Sequence, residues 1–319
     1  MKDLYDLIDD VPPITGISET GLYDLEMDVY HGDCCAGPSI SSSGLKQILI
    51  DPAVYWDTSA LNPAARKVEA KRHFNIGTSA HLFLLEPHLI KEQISVIPSD
   101  MLASNGALST KAAKAFVADQ TELGRTVIKE EEWDMVCDMA DRLSENETVS
   151  RALTDVVVEQ SIILKDPNTG VFLKSRPDVM PTQSGRWIVD YKTTDYDDIR
   201  AWERQSTADV RLDVQAALQI WAVKEAAGID PQGVMYVVQS KKPPHRVAIR
   251  VIRPGTDLFN MGRVDLRRAI NKFHACITTG QWPSEWDKVC DVTPPDFRLR
   301  QIERELAEAE WNFLDHIAA

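Results

Sequence analysis

The chain has 319 residues, of which 44% are hydrophobic and 26% are charged, a balance typical of a folded globular protein and unlike that of a disordered one. No apolar run approaches the roughly 20 residues that span a bilayer, and the acidic N-terminus lacks the apolar core of a secretory signal. We therefore expect a cytoplasmic protein with no membrane association. The net charge of -14 excludes a surface that is basic throughout, so any contact with nucleic acid has to be confined to a groove or channel.

The first half of the chain has a helical pattern. Residues 1–38 are interrupted by proline and glycine and show little periodicity, which predicts an irregular arm. A serine cluster then predicts an N-cap and a short helix that stops near Pro52. A second short helix is expected over 78–86, and residues 99–150 are helical in pattern.

After residue 154 the pattern changes to that of a sheet. Two β-branched runs joined by the sequence Pro-Asn-Thr-Gly predict a β-hairpin. A third strand, a helix that ends at Gly228 and a final strand pair follow. The predicted elements are strands 155–164, 171–180 and 186–194, helix 213–228, and strands 233–240 and 245–253.

The C-terminal region predicts two helices, 257–279 and 297–319. Because no repeat or domain boundary is evident, we predict one domain over 1–319. It combines the arm, a central sheet and helix over 155–253, and helical additions over 257–319. The predicted fold class is α/β, with a mixed sheet flanked by helices.

The residues that carry chemistry lie in the central part. Asp178 is followed, after eleven residues, by the sequence Asp190-Tyr191-Lys192. In a strand, Asp190 and Lys192 project together while Tyr191 points away, and Asp178 is expected to approach them from the preceding strand. Two carboxylates hold Mg²⁺, or Mn²⁺ in its place, and leave positions open for water and a phosphate oxygen. A lysine orients that water or stabilises developing negative charge. The pattern predicts phosphodiester hydrolysis, with the Tyr191 carbonyl as a further ligand.

The alternative is that Asp178 caps a turn and that Asp190 and Lys192 form an exposed ion pair. Against it, the charged pair interrupts a largely apolar strand, where charge is costly unless a metal or partner compensates. Four further residues have two interpretations each. Glu159 is either a metal-site or a solvent-facing residue of its strand, and His81 is either a core or a catalytic residue. Gln215 and Gln219, four apart on one helix, either reach the site or are solvated.

Five segments occur together in a fixed order: PSISSSGLKQILIDPAVYW, FNIGTSAHLFLLEP, GVFLKSRPDVM, RWIVDYKTT and DVQAALQIW. Over residues 20–240 this set resembles the RecE-type exonuclease family, which comprises the exonuclease VIII nuclease domain and its phage relatives. The resemblance implies a PD-(D/E)XK restriction-endonuclease-like core, Mg²⁺ dependence and 5′→3′ degradation of linear double-stranded DNA, leaving 3′ single-stranded tails for recombination. It also implies a homo-oligomeric ring and a RecT-like single-strand annealing protein as partner.

The resemblance also assigns residues. In place of the tyrosine that the family commonly has four residues after its glutamine, this chain has Gln219, which we expect to affect contacts with DNA ends or processivity more than metal chemistry. The predicted catalytic residues are His81, Glu159, Asp178, Asp190, Lys192 and Gln215. The predicted metal ligands are His81, Glu159, Asp178, Asp190 and Tyr191.

Basic residues near these motifs are the predicted contacts to DNA, although clusters of this kind are often only solvated surface. They are Arg66, Lys67, Lys71, Arg72 and Arg176. Two other functions stay open from the sequence: an endonuclease or a single-strand or flap nuclease of the same fold, and a catalytically inactive DNA-binding homologue.

The cysteines favour reduced structural thiols, because they are odd in number and none form a C-x-x-C pair. Some nucleases of this superfamily hold an iron–sulfur cluster with one early and three late cysteines, and the spacing here does not match that arrangement. The five are Cys34, Cys35, Cys137, Cys276 and Cys290.

Overall fold

The computed structural model describes residues 16–66 and 75–308. The chain divides into two compact units, Met1–Trp282 and Pro283–Ala319. One domain over 1–319 was predicted from the sequence, with helical additions over 257–319. The division into two units falls within those additions.

The strands in chain order are β1 (Gly21–Tyr23), β2 (Ser39–Ser41), β3 (Ile94–Val96), β4 (Thr126–Ile128), β5 (Val156–Val158), β6 (Ser161–Lys165), β7 (Phe172–Ser175), β8 (Val179–Pro181), β9 (Trp187–Thr194), β10 (Gly233–Ser240) and β11 (Val247–Ile252). The helices are α1 (Met27–His31), α2 (Ser42–Ile50), α3 (Pro52–Thr58), α4 (Asn75–Leu85), α5 (Ile90–Gln93), α6 (Lys111–Glu122), α7 (Glu130–Ser144), α8 (Glu147–Ala152), α9 (Ile199–Ala208), α10 (Leu212–Ala227), α11 (Asp257–Thr279) and α12 (Asp296–Glu308). Short 3-10 turns lie at Pro87–Leu89, Ser99–Met101 and Glu285–Asp287.

A mixed sheet with the strand order β11-β10-β9-β8-β5 organises the first unit. Strands β9 and β10 are parallel, and the other neighbours are antiparallel. A parallel pair needs a crossover connection, which α9 and α10 supply. A second sheet has the order β1-β6-β7-β2, and β3 pairs with β4 in a small parallel sheet. This architecture confirms the predicted α/β class with helices around mixed sheets.

Both faces of the larger sheet are covered, which explains why every residue of β10 is buried. On one face, α2, α10 and α11 pack with Ile188 and Tyr236 in the main core. On the other face, α4 and α7 pack against Val189 and Tyr191. Because side chains alternate along a strand, the even-numbered residues of β9 point toward α10 and the odd-numbered ones toward α4.

Residues 16–38, part of the predicted irregular arm, contain two short regular elements. Strand β1 pairs with β6, and Tyr30 on α1 packs in a small apolar cluster with Ile17 and Phe172. Elements of three and five residues are too short for periodicity to reveal them. Residues 1–15 lie outside the described residues.

The same cluster contains two of the cysteines. Cys34 and Cys35 are buried side by side, with their Sγ atoms 3.9 Å apart. Cys276 is buried on α11, Cys137 is partly buried and Cys290 is exposed. All five are free thiols.

The predicted hairpin over 155–164 and 171–180 is bent so that it enters both sheets. Its β6–β7 half lies in the second sheet, and its β5–β8 half lies in the larger one. The bend occurs at Glu159, whose φ of 53° interrupts the strand and whose backbone N–H donates to the carbonyl oxygen of Asp178 at 3.0 Å. Glu159 is therefore between strands and not inside one. The apolar pattern continues on both sides of the bend, so periodicity alone did not show it.

Several helices agree with the sequence. Helix α10 stops at Gly228, which has the left-handed conformation that ends helices, and α11 has the predicted bounds. Helix α9 was not predicted, because its sequence is mostly polar. The last predicted helix begins at Asp296, and its portion over 309–319 lies outside the described residues. No helix within 16–66 and 75–308 is long and apolar enough to cross a bilayer.

Helices α10 and α11 approach closely at Gly262. A Cβ atom placed there would lie 2.3 Å from the carbonyl oxygen of Asp213. We expect Gly262→Ala to force the helices apart and lower the free energy of unfolding by about 1–3 kcal/mol, as measured by chemical denaturation. The matched control is Asn260→Ala at an exposed position of α11. Equal stability of the two variants would contradict this close packing.

Candidate active site

The site lies at the edge of the larger sheet where strands β8 and β9 separate. Strand β8 pairs with β9 only at Val179 and Val189. Beyond that pair, the backbone N–H of Tyr191 donates to Asp178 Oδ2 at 2.7 Å. A side-chain carboxylate thus takes the place of the strand carbonyl that a longer β8 would have supplied, and it is fixed at the open edge.

Two further side chains meet Asp178 at this edge. His81 Nε2 lies 3.1 Å from Asp178 Oδ2 and 3.5 Å from Glu159 Oε1. Helix α4 brings His81 here by packing closely on β9, since a Cβ atom at Gly77 would lie 3.2 Å from Thr193 Oγ1. The side chains of His81, Glu159 and Asp178 all keep part of their surface exposed, so a solute can reach them.

Asp190 and Lys192 lie on the α10 face, as the alternation along β9 predicted. Asp190 is only 1% exposed, and its Oδ1 contacts Lys192 Nζ. Its Oδ2 accepts hydrogen bonds from Gln215 Nε2 at 2.6 Å and from Gln219 Nε2 at 3.4 Å. The alternative of an exposed ion pair is therefore wrong for Asp190, and both glutamines face the site.

The charges shift one another's pKa values. Burial and the nearby Asp178 carboxylate raise the pKa of Glu159 to about 7. Burial opposes ionisation of Asp178 as well, but Lys192 and His81 beside it hold its pKa below the usual range. Asp190 has a raised pKa because it is buried and near Asp178. The pKa of His81 is raised, since the hydrogen bond and charge of Asp178 outweigh burial.

The donor set suits a cation. One ligand atom from each of His81, Glu159 and Asp178 lies within 4.8 Å of the others, and no other such group of His, Cys, Asp or Glu occurs in the described part of the chain. The raised pKa of Glu159 reflects burial first and then repulsion by the Asp178 carboxylate, and a bound cation would relieve that repulsion. Carboxylate oxygens are the ligands that hard divalent cations prefer. The residues therefore fit a divalent metal.

The other two predicted ligands have different surroundings. Asp190 lies outside the three-residue group, and donors from the protein already contact both of its oxygens. The side chain of Tyr191 points away as predicted, and its hydroxyl donates to Gln239 at 2.6 Å. A role for the Tyr191 carbonyl stays a prediction.

The residues predicted to contact DNA differ in their exposure and in their partners within the protein. Arg66 is exposed and pairs with Asp57 at 2.8 Å. Arg176 has internal partners, since it donates to Ser161 Oγ at 2.9 Å and lies over the Tyr30 ring. The Arg176 guanidinium thus packs against Ser161 and Tyr30 inside the protein. Contact with DNA stays a prediction for both arginines. Lys67, Lys71 and Arg72 lie outside the described residues.

Lys46 was not among the site residues predicted from the sequence. This residue of α2 is partly buried, and its Nζ donates to Gln215 Oε1 at 3.0 Å. Burial and the charge of Lys192 lower its pKa to about 8. The sequence feature that could have indicated Lys46 is its position in GLKQIL, a largely apolar part of the first of the five segments.

An acidic group at the open edge of a mixed sheet, beside an Asp-x-Lys pair on the next strand, defines the PD-(D/E)XK nuclease fold. Residues 41–293 match the model of the family described as "PDDEXK-like domain of unknown function (DUF3799)", and the chain belongs to this family. It is similar to a solved structure from Eubacterium rectale named "Putative exonuclease", with 12% identity and a TM-score of 0.49, over 87% of this chain and 98% of that one. No curated protein matches the sequence.

In the absence of metal, we expect Glu159 to lower the stability of the fold once the pH is neutral or higher. Because the pKa of Glu159 is about 7 in the folded protein and about 4.5 otherwise, the folded state holds this proton more tightly. The contribution of Glu159 to stability is therefore lost as pH rises from about 4.5 to about 7. At pH 8 in EDTA we expect Glu159→Gln to raise the free energy of unfolding by roughly 1–3 kcal/mol.

The same variant tests metal binding. We expect Mg²⁺ or Mn²⁺ to raise the melting temperature of the unsubstituted protein and to do so much less for Glu159→Gln. The control is Glu122→Gln, an exposed residue of α6. A metal-induced shift that is the same in all three proteins would show that Glu159 is not a ligand.

Proposed function

We propose that the protein is a metal-dependent exodeoxyribonuclease that hydrolyses linear double-stranded DNA. The observation that supports it most directly is the convergence of His81, Glu159 and Asp178 at the sheet edge, next to the Asp190–Lys192 pair. Membership of a PDDEXK-like family supports the same chemistry.

Each residue of the site has a task in this reaction. His81, Glu159 and Asp178 would hold Mg²⁺, with Asp190 beside them. The bound cation would polarise the phosphate and lower the pKa of the attacking water. Lys192 stays protonated, because the carboxylates of Asp190 and Asp178 raise its pKa despite burial. Its ammonium group orients the water or stabilises the negative charge that develops on the phosphate.

The finer features of the proposal come from the resemblance to RecE-type exonucleases. They are 5′→3′ polarity, 3′ single-stranded products, a homo-oligomeric ring and a single-strand annealing protein as partner. The net charge of -14 supports a restricted DNA path, since most of an acidic surface repels phosphates.

The test uses linear duplex DNA labelled separately at its 5′ and 3′ ends, with Mg²⁺, Mn²⁺ or EDTA. We expect release of the 5′ label in small products only when metal is present. Asp190→Asn should reduce the rate about 10²–10³-fold, because it removes charge from a preorganised site. Asp119→Asn, on the exposed side of α6, is the matched control.

Other outcomes identify other functions. Cleavage of closed circular duplex DNA would indicate an endonuclease, since an exonuclease needs an end. Preference for single strands or flaps would change the substrate but keep the site. Metal-dependent DNA binding with no cleavage of any of these substrates would contradict enzymatic activity.

A further inference from the structure

Lys46 and Lys192 lie at opposite ends of one chain of contacts. Lys46 Nζ donates to Gln215 Oε1, and Gln215 Nε2 donates to Asp190 Oδ2. Asp190 Oδ1 in turn contacts Lys192 Nζ. Two ammonium groups, from α2 and β9, therefore flank a single amide–carboxylate pair.

The Gln215 amide has only one orientation that suits both neighbours. Its oxygen faces the Lys46 ammonium and its NH₂ group faces the Asp190 carboxylate. The reversed amide would place a donor against a donor and an acceptor against an acceptor. Gln215 thus holds Lys46 at a fixed position relative to Asp190, within the reach of one amide group.

The two lysines differ in their charge partners. Lys192 contacts the Asp190 carboxylate, whereas within the described residues Lys46 has no carboxylate within ion-pair distance. Its one hydrogen-bond partner among the described residues is a neutral amide oxygen, and an ammonium group has three donors. Burying part of a cation costs free energy when some of its donors have no acceptor, and an anion that accepts from those donors offsets that cost. Its lowered pKa, caused by burial and Lys192, is consistent with that deficit.

We propose that Lys46 binds a phosphate oxygen of the DNA strand that lies at the carboxylates, as a second cationic contact beside Lys192. This inference rests on the proposed nuclease function, since it requires that a phosphodiester occupies the site. The ligand follows from the chemistry: a phosphodiester carries one negative charge, and its free oxygens accept the donors that Gln215 leaves unused. A lysine is suited to this as a compact point charge on a flexible stem.

The test separates charge from hydrogen bonding. Lys46→Gln keeps a donor for Gln215 but removes the charge, whereas Lys46→Arg keeps the charge. The control is Lys114→Gln, an exposed lysine of α6. Two quantities are measured on labelled linear duplex DNA: the salt dependence of binding in EDTA, and kcat/KM with Mg²⁺.

We expect Lys46→Gln to reduce the slope of log K against log salt by about 0.9, the value for one lost phosphate contact on duplex DNA. We expect kcat/KM to fall about 10–100-fold, in the range of one lost electrostatic contact. Lys46→Arg should keep the slope and most of the rate, and Lys114→Gln should match the unsubstituted protein.

An unchanged salt slope in Lys46→Gln would overturn the inference, whatever happens to the rate. Equal loss of activity in Lys46→Gln and Lys46→Arg, with the slope intact and a lower melting temperature, would assign Lys46 a purely structural role and overturn it too. If the unsubstituted protein cleaves no DNA but Lys46→Gln still lowers the slope, the phosphate contact stands and the nuclease function fails.

Discussion

The bend in the 155–181 hairpin is the constraint on which the site depends. Both of its strands leave one sheet and enter the other. The hydrogen bond from the backbone N–H of Glu159 to the carbonyl oxygen of Asp178 closes the bend. This places two carboxylates at the point where β9 loses its neighbour. The left-handed conformation of Glu159 carries a steric cost for a residue with a Cβ atom. A continuous hairpin would have no such cost, but it would cover the edge of β9 and exclude a substrate.

Charge is arranged differently on the two sides of this edge. On the α4 side, His81, Glu159 and Asp178 are partly exposed, and the carboxylates repel each other. On the α10 side, Asp190 is buried and surrounded by donors. A buried carboxylate that accepts hydrogen bonds at one oxygen and contacts an ammonium group at the other is fixed in position, whereas a partly exposed carboxylate without such partners favours binding of a cation. The arrangement on the α4 side fits a cation, and the arrangement on the α10 side fixes the position of a carboxylate.

The sequence predicted some parts of this design and not others. Alternation along β9 was sufficient to place Asp190 and Lys192 on one face and Tyr191 on the other, because strand geometry is local. The contact of His81 with Asp178 links positions 97 residues apart in the chain, and only the resemblance assigned His81 to the site. Lys46 was missed, since its one local signal, a position in the largely apolar segment GLKQIL, fits a lysine that extends to solvent equally well.

The bend was missed for a related reason. Apolar periodicity reports which residues are buried, and residues on both sides of Glu159 are buried or partly buried in different sheets. A carboxylate within an apolar run was the one local signal, and it fitted equally well a solvent-facing strand position. The short elements of 16–38 were missed because three to five residues do not complete a recognisable period.

Gln219 shows how the α10 face limits what Asp190 can do. A carboxylate has about four lone-pair positions, and the amides of Gln215 and Gln219 both donate to Oδ2 of Asp190. Lys192 lies against Oδ1, which accepts no hydrogen bond within the described residues. Oδ1 is therefore the oxygen with acceptor capacity left, so Asp190 is suited to being a single-oxygen ligand or a charge that holds Lys192. Gln219 Oε1 accepts no hydrogen bond within the described part of the chain. The amide thus directs its donor to Asp190 at the expense of its own oxygen, which indicates that fixing this carboxylate is what the position contributes to the site.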